Sequence, residues 1–380
     1  MHAIDVPSWI EIDHRALHHN VQFLRSQLSP RTKLFVVVKS NAYGHGIEAI
    51  SQSIESLVDG VAVNTIAEGL SLRDLGFQKR IVVVGAYKTA DLIVAAQERG
   101  LELEIVNETD ISLLQHLTST AAPLHIHIKL NTGLNRLGVE HTELHSYIER
   151  LKHTANVTIQ GIFSHLASAE NPDSLKTKMQ LALFSEATAT LPYERHIAAC
   201  AATLLIPDSH YEIVRLGISS YGLWPSPETK QQWCIQHPQA GDPLQPVLSF
   251  HTRILSLRSL EAGESIGYDN TYTTSEKRIT AVIPVGYYEG LPRGLSNKTK
   301  VVIGGQLVPV IGRIAMNMTV CDVSSVPNVV VGDLVTIIGQ QGDAVISADD
   351  HAEHNQTINY EIVTRLPAFL PRRHQGLNQQ

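Results

Sequence analysis

Short runs of apolar, mostly β-branched residues alternate with longer amphipathic stretches over the first two-thirds of the chain. Stretches such as 66–75 and 90–99 have the apolar spacing that is typical of helices. The apolar runs predict eight strands, at 34–38, 61–64, 81–85, 102–106, 125–130, 159–164, 195–199 and 211–215. Eight strands joined by helical crossovers predict an α/β fold of the (β/α)8 barrel type. A doubly wound open sheet is the alternative, but no Gly-x-Gly-x-x-Gly follows the first strand.

The pattern changes after residue 243. Alternating runs at 248–257, 278–285, 300–303 and 329–338 are bounded by Gly, Asn and Asp pairs, which is typical of a mostly β domain. We therefore expect a barrel domain at 14–243 and a β-rich C-terminal domain at 244–380.

Composition narrows the functional classes. The net charge of −7 gives no basic surface for nucleic acid, and no apolar run approaches the length of a membrane span. The three cysteines, Cys200, Cys234 and Cys321, have neither the spacing of metal ligands nor that of a disulfide framework. The N-terminus lacks the pattern of a signal peptide. We expect a cytoplasmic protein that binds no nucleic acid, membrane or metal.

Lys39 directly follows the first buried strand, and two glycines interrupt the pattern before the next helix. Partial burial lowers the pKa of an ammonium group, as a lysine that forms a Schiff base requires. A surface lysine at a strand end would give the same local pattern. Functional groups of a barrel collect at the carboxyl ends of its strands, and His165, Cys200 and Arg215 also lie at or just past such ends.

The fifth strand alternates strictly, so that His125, His127 and Lys129 share one face. In a barrel, this polar face would point inward. A lysine in the barrel interior is costly unless it is paired or chemically altered.

The segment from Lys39 to Gly46, Lys-Ser-Asn-Ala-Tyr-Gly-His-Gly, resembles the segment of alanine racemases that attaches pyridoxal phosphate (PLP). The resemblance implies that Lys39 carries PLP as a Schiff base and that Tyr43 reaches its phosphate. Similar segments follow in consistent order from about residue 7 to 373, so the chain is identified as a member of this family of fold-type III PLP enzymes. The resemblance also implies that a strand within residues 1–13 joins the C-terminal domain, and that two chains form a homodimer with shared active sites.

The same resemblance implies further cofactor contacts. His165 would stack on the pyridine ring, Arg215 would face the pyridine nitrogen, and the backbone amides of Gly217 and Ile218 would bind the phosphate. Tyr360 would lie against the substrate side of the cofactor site. Because arginine stays cationic and cannot accept a proton, the pyridine nitrogen would remain unprotonated and the cofactor would be a weaker electron sink. By itself, a lone histidine such as His165 is usually structural.

Substrate contacts are implied at three positions. Arg136 would position the substrate carboxylate, the backbone of Met316 would contact the substrate, and Tyr287 would line the entrance. In many family members, a carbamylated lysine at the position of Lys129 pairs with the arginine. Carbamylation would turn a buried cation into an anion, so that Lys129 and Arg136 would attract each other. The alternative interpretation is that Arg136 is a solvated residue of a surface loop and binds no substrate.

Racemisation removes the Cα proton from one face and returns a proton on the other, which two opposed bases accomplish. The resemblance implies that Lys39 serves the D-enantiomer and that Tyr268, from the partner subunit, serves the L-enantiomer. Tyr268 would need cationic neighbours to depress its pKa. Its local sequence alone indicates only an aromatic residue at a strand end. The implied function is interconversion of L-alanine and D-alanine, which supplies D-alanine for peptidoglycan.

Three positions depart from the family pattern. Ala199 and Cys200 stand where Asn-Ser is usual, and a thiol donates more weakly to a phosphate than a hydroxyl does. Asn317 stands where aspartate is common. These changes leave open a racemase of serine, lysine or several amino acids. A non-catalytic PLP-binding protein is a further alternative, although such proteins typically are a single barrel. PLP-dependent decarboxylases share the fold, but the segments around Lys39 and Tyr268 point away from them.

Overall fold

The computed structural model describes residues 7–85, 88–117 and 122–377. The chain divides into two compact units. The first, called the barrel unit here, comprises Ala16–Ala42 and Ile47–Gln245. The second, called the β unit, comprises Met1–Arg15, Tyr43–Gly46 and Pro246–Gln380.

Strand β1 (Trp9–Asp13) belongs to the β unit, and the strands of the barrel unit follow it in the chain. They are β2 (Lys33–Val37), β3 (Gly60–Val63), β4 (Arg80–Val83), β5 (Glu102–Ile105), β6 (Leu124–Asn131), β7 (Val139–Glu140), β8 (Val157–Phe163), β9 (Glu194–His196) and β10 (Ile213–Leu216). Parallel pairing gives the order β10-β2-β3-β4-β5-β6-β8-β9, with the short β7 beside β6. Two backbone hydrogen bonds join β9 to β10, the strands at the two ends of this order. The N–H of Glu212 donates to the carbonyl of Arg195, and the N–H of Arg215 donates to that of Ala198.

Helices lie between these strands in the sequence, except that the last one follows β10. They are α1 (His14–Ser26), α2 (Ile47–Ile54), α3 (Ile66–Asp74), α4 (Ala90–Glu98), α5 (Glu108–Leu113), α6 (Leu144–Lys152), α7 (Leu175–Thr188), α8 (Cys200–Leu205) and α9 (Pro227–Gln236). Thr65 and Glu68 form a reciprocal capping box at the start of α3, and Ser174 caps α7. The predicted (β/α)8 class is confirmed, because each predicted strand overlaps an observed one.

The β unit continues with β11 (Leu248–Arg253), β12 (Ser256–Leu260), β13 (Arg278–Ile283), β14 (Lys300–Ile303), β15 (Gln306–Ile311), β16 (Thr319–Asp322), β17 (Leu334–Gln341), β18 (Ala344–Ile346) and β19 (Arg372–Gln375). The strand order is β12-β13-β16-β15-β14-β17-β11-β1-β19, with β18 beside β17. β1 pairs with β11 in antiparallel fashion and with β19 in parallel. Two helices, α10 (Ala348–His354) and α11 (Asn359–Thr364), precede the last strand. Over the described ranges, every helix is too short or too polar to cross a membrane.

Two predicted runs of the β unit differ from the observed strands. The run at 248–257 contains two strands, because the chain changes partners at Ile254 and Leu255, whose N–H groups donate to Asp333 and Val282. The run at 329–338 becomes a strand only at Leu334. The residues before it form a turn, in which the side chain of Asp333 accepts from the N–H of Val330 at 2.8 Å.

Candidate active site

Lys39 lies at the start of a left-handed turn that follows β2. The four residues after it have φ values of 51–56°, and none of them is a glycine. This conformation costs an L-residue roughly 1–2 kcal/mol, so surrounding contacts must hold it. The N–H of Ser40 donates to Glu68 at 2.7 Å, and the N–H of Ile47 donates to the side chain of Asn41 at 2.9 Å. These bonds fix the backbone that carries Lys39.

The amine of Lys39 is half-buried among other cations. Burial is the main reason that its pKa lies below the ordinary lysine value, and the positive charge of Arg136 is the next. Lys129 and Arg215 lower the pKa further, whereas Glu68 raises it. A lowered pKa leaves more of the amine unprotonated and nucleophilic near neutral pH. This environment suits a lysine that forms a Schiff base.

Strand β6 carries His127 and Lys129, and both side chains are buried, whereas His125 at its start is exposed. The ammonium nitrogen of Lys129 donates to Oε2 of Glu104 on β5 at 3.2 Å. Burial lowers the pKa of Lys129 and raises the pKa of Glu104. The buried lysine is therefore paired with a carboxylate of the neighbouring strand.

Arg136 lies in the loop between β6 and β7, which is held by its own polar groups. The side chain of Asn131 accepts two backbone N–H bonds from within the loop, both at 3.1 Å. Gly138 has a φ of 127°, and a Cβ there would lie 2.9 Å from the backbone nitrogen of Asn131. Arg136 is exposed, yet it lies close enough for its charge to lower the pKa of Lys39 and of Lys129. The loop thus presents a cation beside the two lysines.

Arg215 on β10 is buried, and both terminal nitrogens of its guanidinium are anchored. One donates to the carbonyl of Ser164 at 2.8 Å, and the other donates to Nδ1 of His196 at 2.6 Å. The ring of His196 stacks on that of Phe163 with the centroids 4.9 Å apart. Burial lowers the pKa of Arg215 to about 10, while Glu104 opposes this shift. The guanidinium therefore keeps its proton near neutral pH.

A chain of hydrogen bonds continues from Arg215 across the barrel interior. Nε2 of His196 contacts Nδ1 of His127 at 2.9 Å, and Nε2 of His127 contacts Oε2 of Glu102 at 2.7 Å. Glu102 also accepts two bonds from Arg80, at 2.6 and 2.7 Å. Because an arginine can only donate, each histidine must carry its proton on Nε2 and donate to the next acceptor.

The charges along this chain follow from the same contacts. Burial alone would raise the pKa of Glu102, but hydrogen bonds from Arg80 and His127 lower it to about 2. Burial also lowers the pKa of His196 well below its usual value. The two histidines thus link the carboxylate of Glu102 to Arg215, and this fixes the orientation of the guanidinium.

His165 follows β8 and is half-buried. Burial, followed by the charges of Arg215 and Arg136, lowers its pKa to about 3. Its imidazole is therefore neutral near pH 7, which suits a ring that packs against another ring.

Cys200 contacts the backbone that follows β10. The N–H of Gly217 donates to the sulfur of Cys200 at 3.0 Å. Burial raises the pKa of the thiol, against the effect of hydrogen bonds from Ser219 and Gly217. Ile218 begins a short 3-10 turn directly after Gly217. The sulfur thus holds the segment that is predicted to bind the cofactor phosphate.

Tyr43 and Tyr360 belong to the β unit, where their ring centroids lie 6.0 Å apart. Gly44, next to Tyr43, has a φ of 84°, and a Cβ there would lie 2.0 Å from the carbonyl oxygen of Val363 in α11. Arg372 donates to the carbonyl of Gly44 at 2.7 Å. The close approach to α11 requires a glycine at this position.

Three more predicted site residues are exposed on the β unit. Tyr268, Tyr287 and Met316 have exposed fractions of 67%, 43% and 55%. Tyr268 follows Gly267, which has a φ of 73°. The N–H of Tyr287 donates to the carbonyl of Ala315 at 3.1 Å, so the segments that carry Tyr287 and Met316 are adjacent.

Asn317, one of the departures from the family pattern, donates from its amide to Oε1 of Glu289 at 2.7 Å. The other oxygen of Glu289 accepts from the N–H of Gly286 at 2.9 Å. An aspartate at 317 would face Glu289 with like charge, so the amide fits its surroundings.

The structure brings together four cations that the sequence predicts for the site: Lys39, Lys129, Arg136 and Arg215. Glu104 and His196 contact members of this group, and Glu102 is linked to Arg215 through His127 and His196. These three residues are absent from the predicted site. Their signal is present in the sequence, because Glu-Leu-Glu at 102–104 places two carboxylates on one face of a buried strand.

The hydrogen-bonded chain predicts the tautomers of two histidines. In the native protein, 15N NMR should show the proton of both His127 and His196 on Nε2, with Nδ1 of each ring unprotonated. Glu102→Leu should lose this pattern and about 1–3 kcal/mol of stability, because it leaves a buried donor without an acceptor. Glu102→Gln should retain the tautomers, since its amide oxygen still accepts.

The matched control is Glu194→Gln, because Glu194 contacts Arg80 at 2.9 Å and has no part in the histidine contacts. A proton on Nδ1 of either histidine in the native protein would contradict the chain of donors.

Comparison with known proteins agrees with this geometry. Residues 12–225 match the family model described as "Alanine racemase, N-terminal domain", and residues 247–374 match "Alanine racemase, C-terminal domain". The chain is 36% identical over 375 residues to an alanine racemase of Nostoc sp., covering 96% of this chain and 95% of the relative. It is also 36% identical over 373 residues to that of Geobacillus stearothermophilus, covering 96% and 92%.

Solved structures give the same result. The alanine racemase from Bacillus anthracis with bound L-Ala-P superposes with a TM-score of 0.88 at 30% identity, over 98% of this chain and 96% of that one. The alanine racemase from E. faecalis gives a TM-score of 0.90 at 27% identity, over 98% and 99%. The chain therefore belongs to the alanine racemase family.

Proposed function

We propose that this protein is a PLP-dependent enzyme that interconverts L-alanine and D-alanine, with Lys39 and Tyr268 as the two bases. The observation that carries the proposal is the position of Lys39, half-buried at the carboxyl end of a barrel strand among cations suited to anionic ligands. Membership of the alanine racemase family supports the same reaction. The D-alanine formed would supply peptidoglycan synthesis.

The side chains and backbone groups of this site fit PLP, which carries an aldehyde, a pyridine ring and a phosphate. The amine of Lys39 would hold the aldehyde carbon, and the anchored guanidinium of Arg215 would face the ring nitrogen. The backbone around Gly217 and Ile218 follows the last barrel strand, where barrels commonly bind phosphate. When bound, PLP stabilises the negative charge that develops on Cα as its proton is removed.

Three further residues would complete the cofactor site. The neutral imidazole of His165 would pack on the ring, and the family resemblance adds Tyr43 and Tyr360, whose rings lie close together, as cofactor contacts. Cys200 would act mainly through the backbone, because its sulfur already accepts the N–H of Gly217. The thiol would hold the phosphate-binding segment in place rather than donate strongly to the phosphate.

Lys39 and Tyr268 would move protons on opposite faces of the substrate. The depressed pKa of Lys39 allows its amine to take the Cα proton of the D-enantiomer and to return one to the same face. Tyr268 would do the same for the L-enantiomer. The tyrosine is two-thirds exposed on its own chain, which supports a place in the active site of a second copy within a homodimer.

Arg136 would bind the substrate carboxylate. Its exposed guanidinium lies beside Lys39 and Lys129. A substrate could therefore reach it, and it is close to the reacting groups. Tyr287 and Met316, on adjacent exposed segments, would line the substrate side of the site.

A racemase of serine, lysine or several amino acids is the second candidate. It is favoured by the departures at Ala199, Cys200 and Asn317. Asn317 in particular is bonded to Glu289, so this side of the β unit has its own polar arrangement.

Proton exchange in deuterated water tests the reaction. With PLP-loaded protein, L-alanine should acquire deuterium at Cα and yield D-alanine faster than L-serine or L-lysine react, as chiral chromatography and mass spectrometry would show. Faster conversion of another amino acid would favour the second candidate. Absence of exchange in PLP-loaded protein would contradict catalysis and favour a binding protein.

Mixing two inactive variants tests the shared site. Lys39→Ala and Tyr268→Phe should each be inactive alone, and equal mixing with subunit exchange should restore about a quarter of native activity. The reason is that about half of the dimers are hybrids and each hybrid has one intact site out of two. Tyr288→Phe is the control for Tyr268, because Tyr288 is another exposed tyrosine, stacked on Phe369. Lack of restored activity after proven subunit exchange would place both bases on one chain.

A further inference from the structure

Glu104 and Lys129 form a buried pair on neighbouring strands of the barrel unit. The two side chains are almost fully buried, and the nitrogen–oxygen distance is 3.2 Å. The second oxygen of Glu104 is buried without a hydrogen-bond partner among the described residues. Among the described residues, Lys129 is the hydrogen-bond partner of Glu104, and the charge of Lys88 also acts on this carboxylate.

The pair balances the charge of the barrel interior. Lys129 lies beside Arg136 and Arg215, and Glu104 is the carboxylate that opposes the shift in the pKa of Arg215. Burial favours the neutral form of each member of the pair, but the net charge of the pair is zero whether the shared proton resides on nitrogen or oxygen. In both cases the proton occupies the space between the two groups and engages the lone pair of the amine.

Carbamylation of Lys129 would disturb this balance. The nitrogen would bond to the carbon of CO2 while two protons leave to solvent, namely the proton shared with Glu104 and one further N–H proton, and the product would be a carbamate anion beside an ionised Glu104. A carbamate on Lys129 would then lie next to the carboxylate of Glu104, and two buried anions in contact repel strongly. An ionised Glu104 and a carbamylated Lys129 are therefore alternatives.

We infer that Glu104 is the counter-ion of Lys129, that it takes the place which a carbamate would otherwise fill, and that Lys129 is unmodified in this protein. Glu104 is then a positioning residue, because it acts on the site through Lys129. The inference concerns the site of the proposed function, but it makes a statement about a covalent modification that can be measured without turnover.

The test is 13C NMR of the native, PLP-loaded protein equilibrated with 13C-labelled bicarbonate. The native protein should show no carbamate resonance, and its alanine-exchange rate should be the same in CO2-free and bicarbonate-containing buffer. Glu104→Gln removes the negative charge with little change in shape. This variant should gain a carbamate resonance that is absent from the double variant with Lys129→Ala, and added bicarbonate should raise its activity several-fold.

The matched control is Glu102→Gln, which removes another buried carboxylate from the same face of β5 but leaves the partner of Lys129 intact. It should show no carbamate. A resonance in the native protein that disappears in Lys129→Ala would overturn the inference. Absence of the resonance from both the native protein and folded Glu104→Gln would also overturn it, because Glu104 would then not be what excludes the modification. The measurement on the native protein shows whether Lys129 is carbamylated even if Glu104→Gln does not fold. It is also independent of whether the protein racemises alanine.

Discussion

Repulsion among four cations is the main constraint on this site. Lys39, Lys129, Arg136 and Arg215 lie close enough for their charges to affect one another, and the interior of the barrel screens these charges less than water does. The negative charges of two glutamates of β5 offset part of this repulsion. Glu104 pairs directly with Lys129, and Glu102 is linked through two histidines to Arg215.

The same constraint assigns a different charge state to each group. Arg215 keeps its proton because the intrinsic pKa of a guanidinium is high enough to survive complete burial. His165 and His196 lose theirs, since imidazole starts near neutrality and burial, followed by the charges of nearby cations, lowers the pKa of both rings. Lys39 falls between these cases, and within the described part of the chain no carboxylate is bonded to its amine as Glu104 is to that of Lys129. An amine that is less firmly held as a cation is the one best prepared to react.

The sequence allowed the barrel to be predicted because parallel strands buried on both faces read as continuous apolar runs. Lys39 and Arg215 could be placed from the position of functional groups at strand ends, while their proposed roles rest on family resemblance. The sequence pattern does not identify Glu102 and Glu104 as site residues, because glutamate within a strand usually indicates a solvated face. Only the neighbouring strands show that these carboxylates have buried partners. The left-handed turn after Lys39 has no local signal, since its first four residues are not glycines. Strand β15 was missed because Pro309 lies within it, which argues against a central strand.

The most direct test of this account is to locate the lysine that binds PLP covalently. The protein would be incubated with PLP, reduced with borohydride and digested, and the labelled peptide would be identified by mass spectrometry. We expect about one label per chain, on Lys39, with Lys129 unlabelled because its nitrogen is engaged by Glu104. A label on Lys129 or on a surface lysine, with Lys39 unmodified, would contradict the claim that the charges of the barrel interior prepare Lys39 to react.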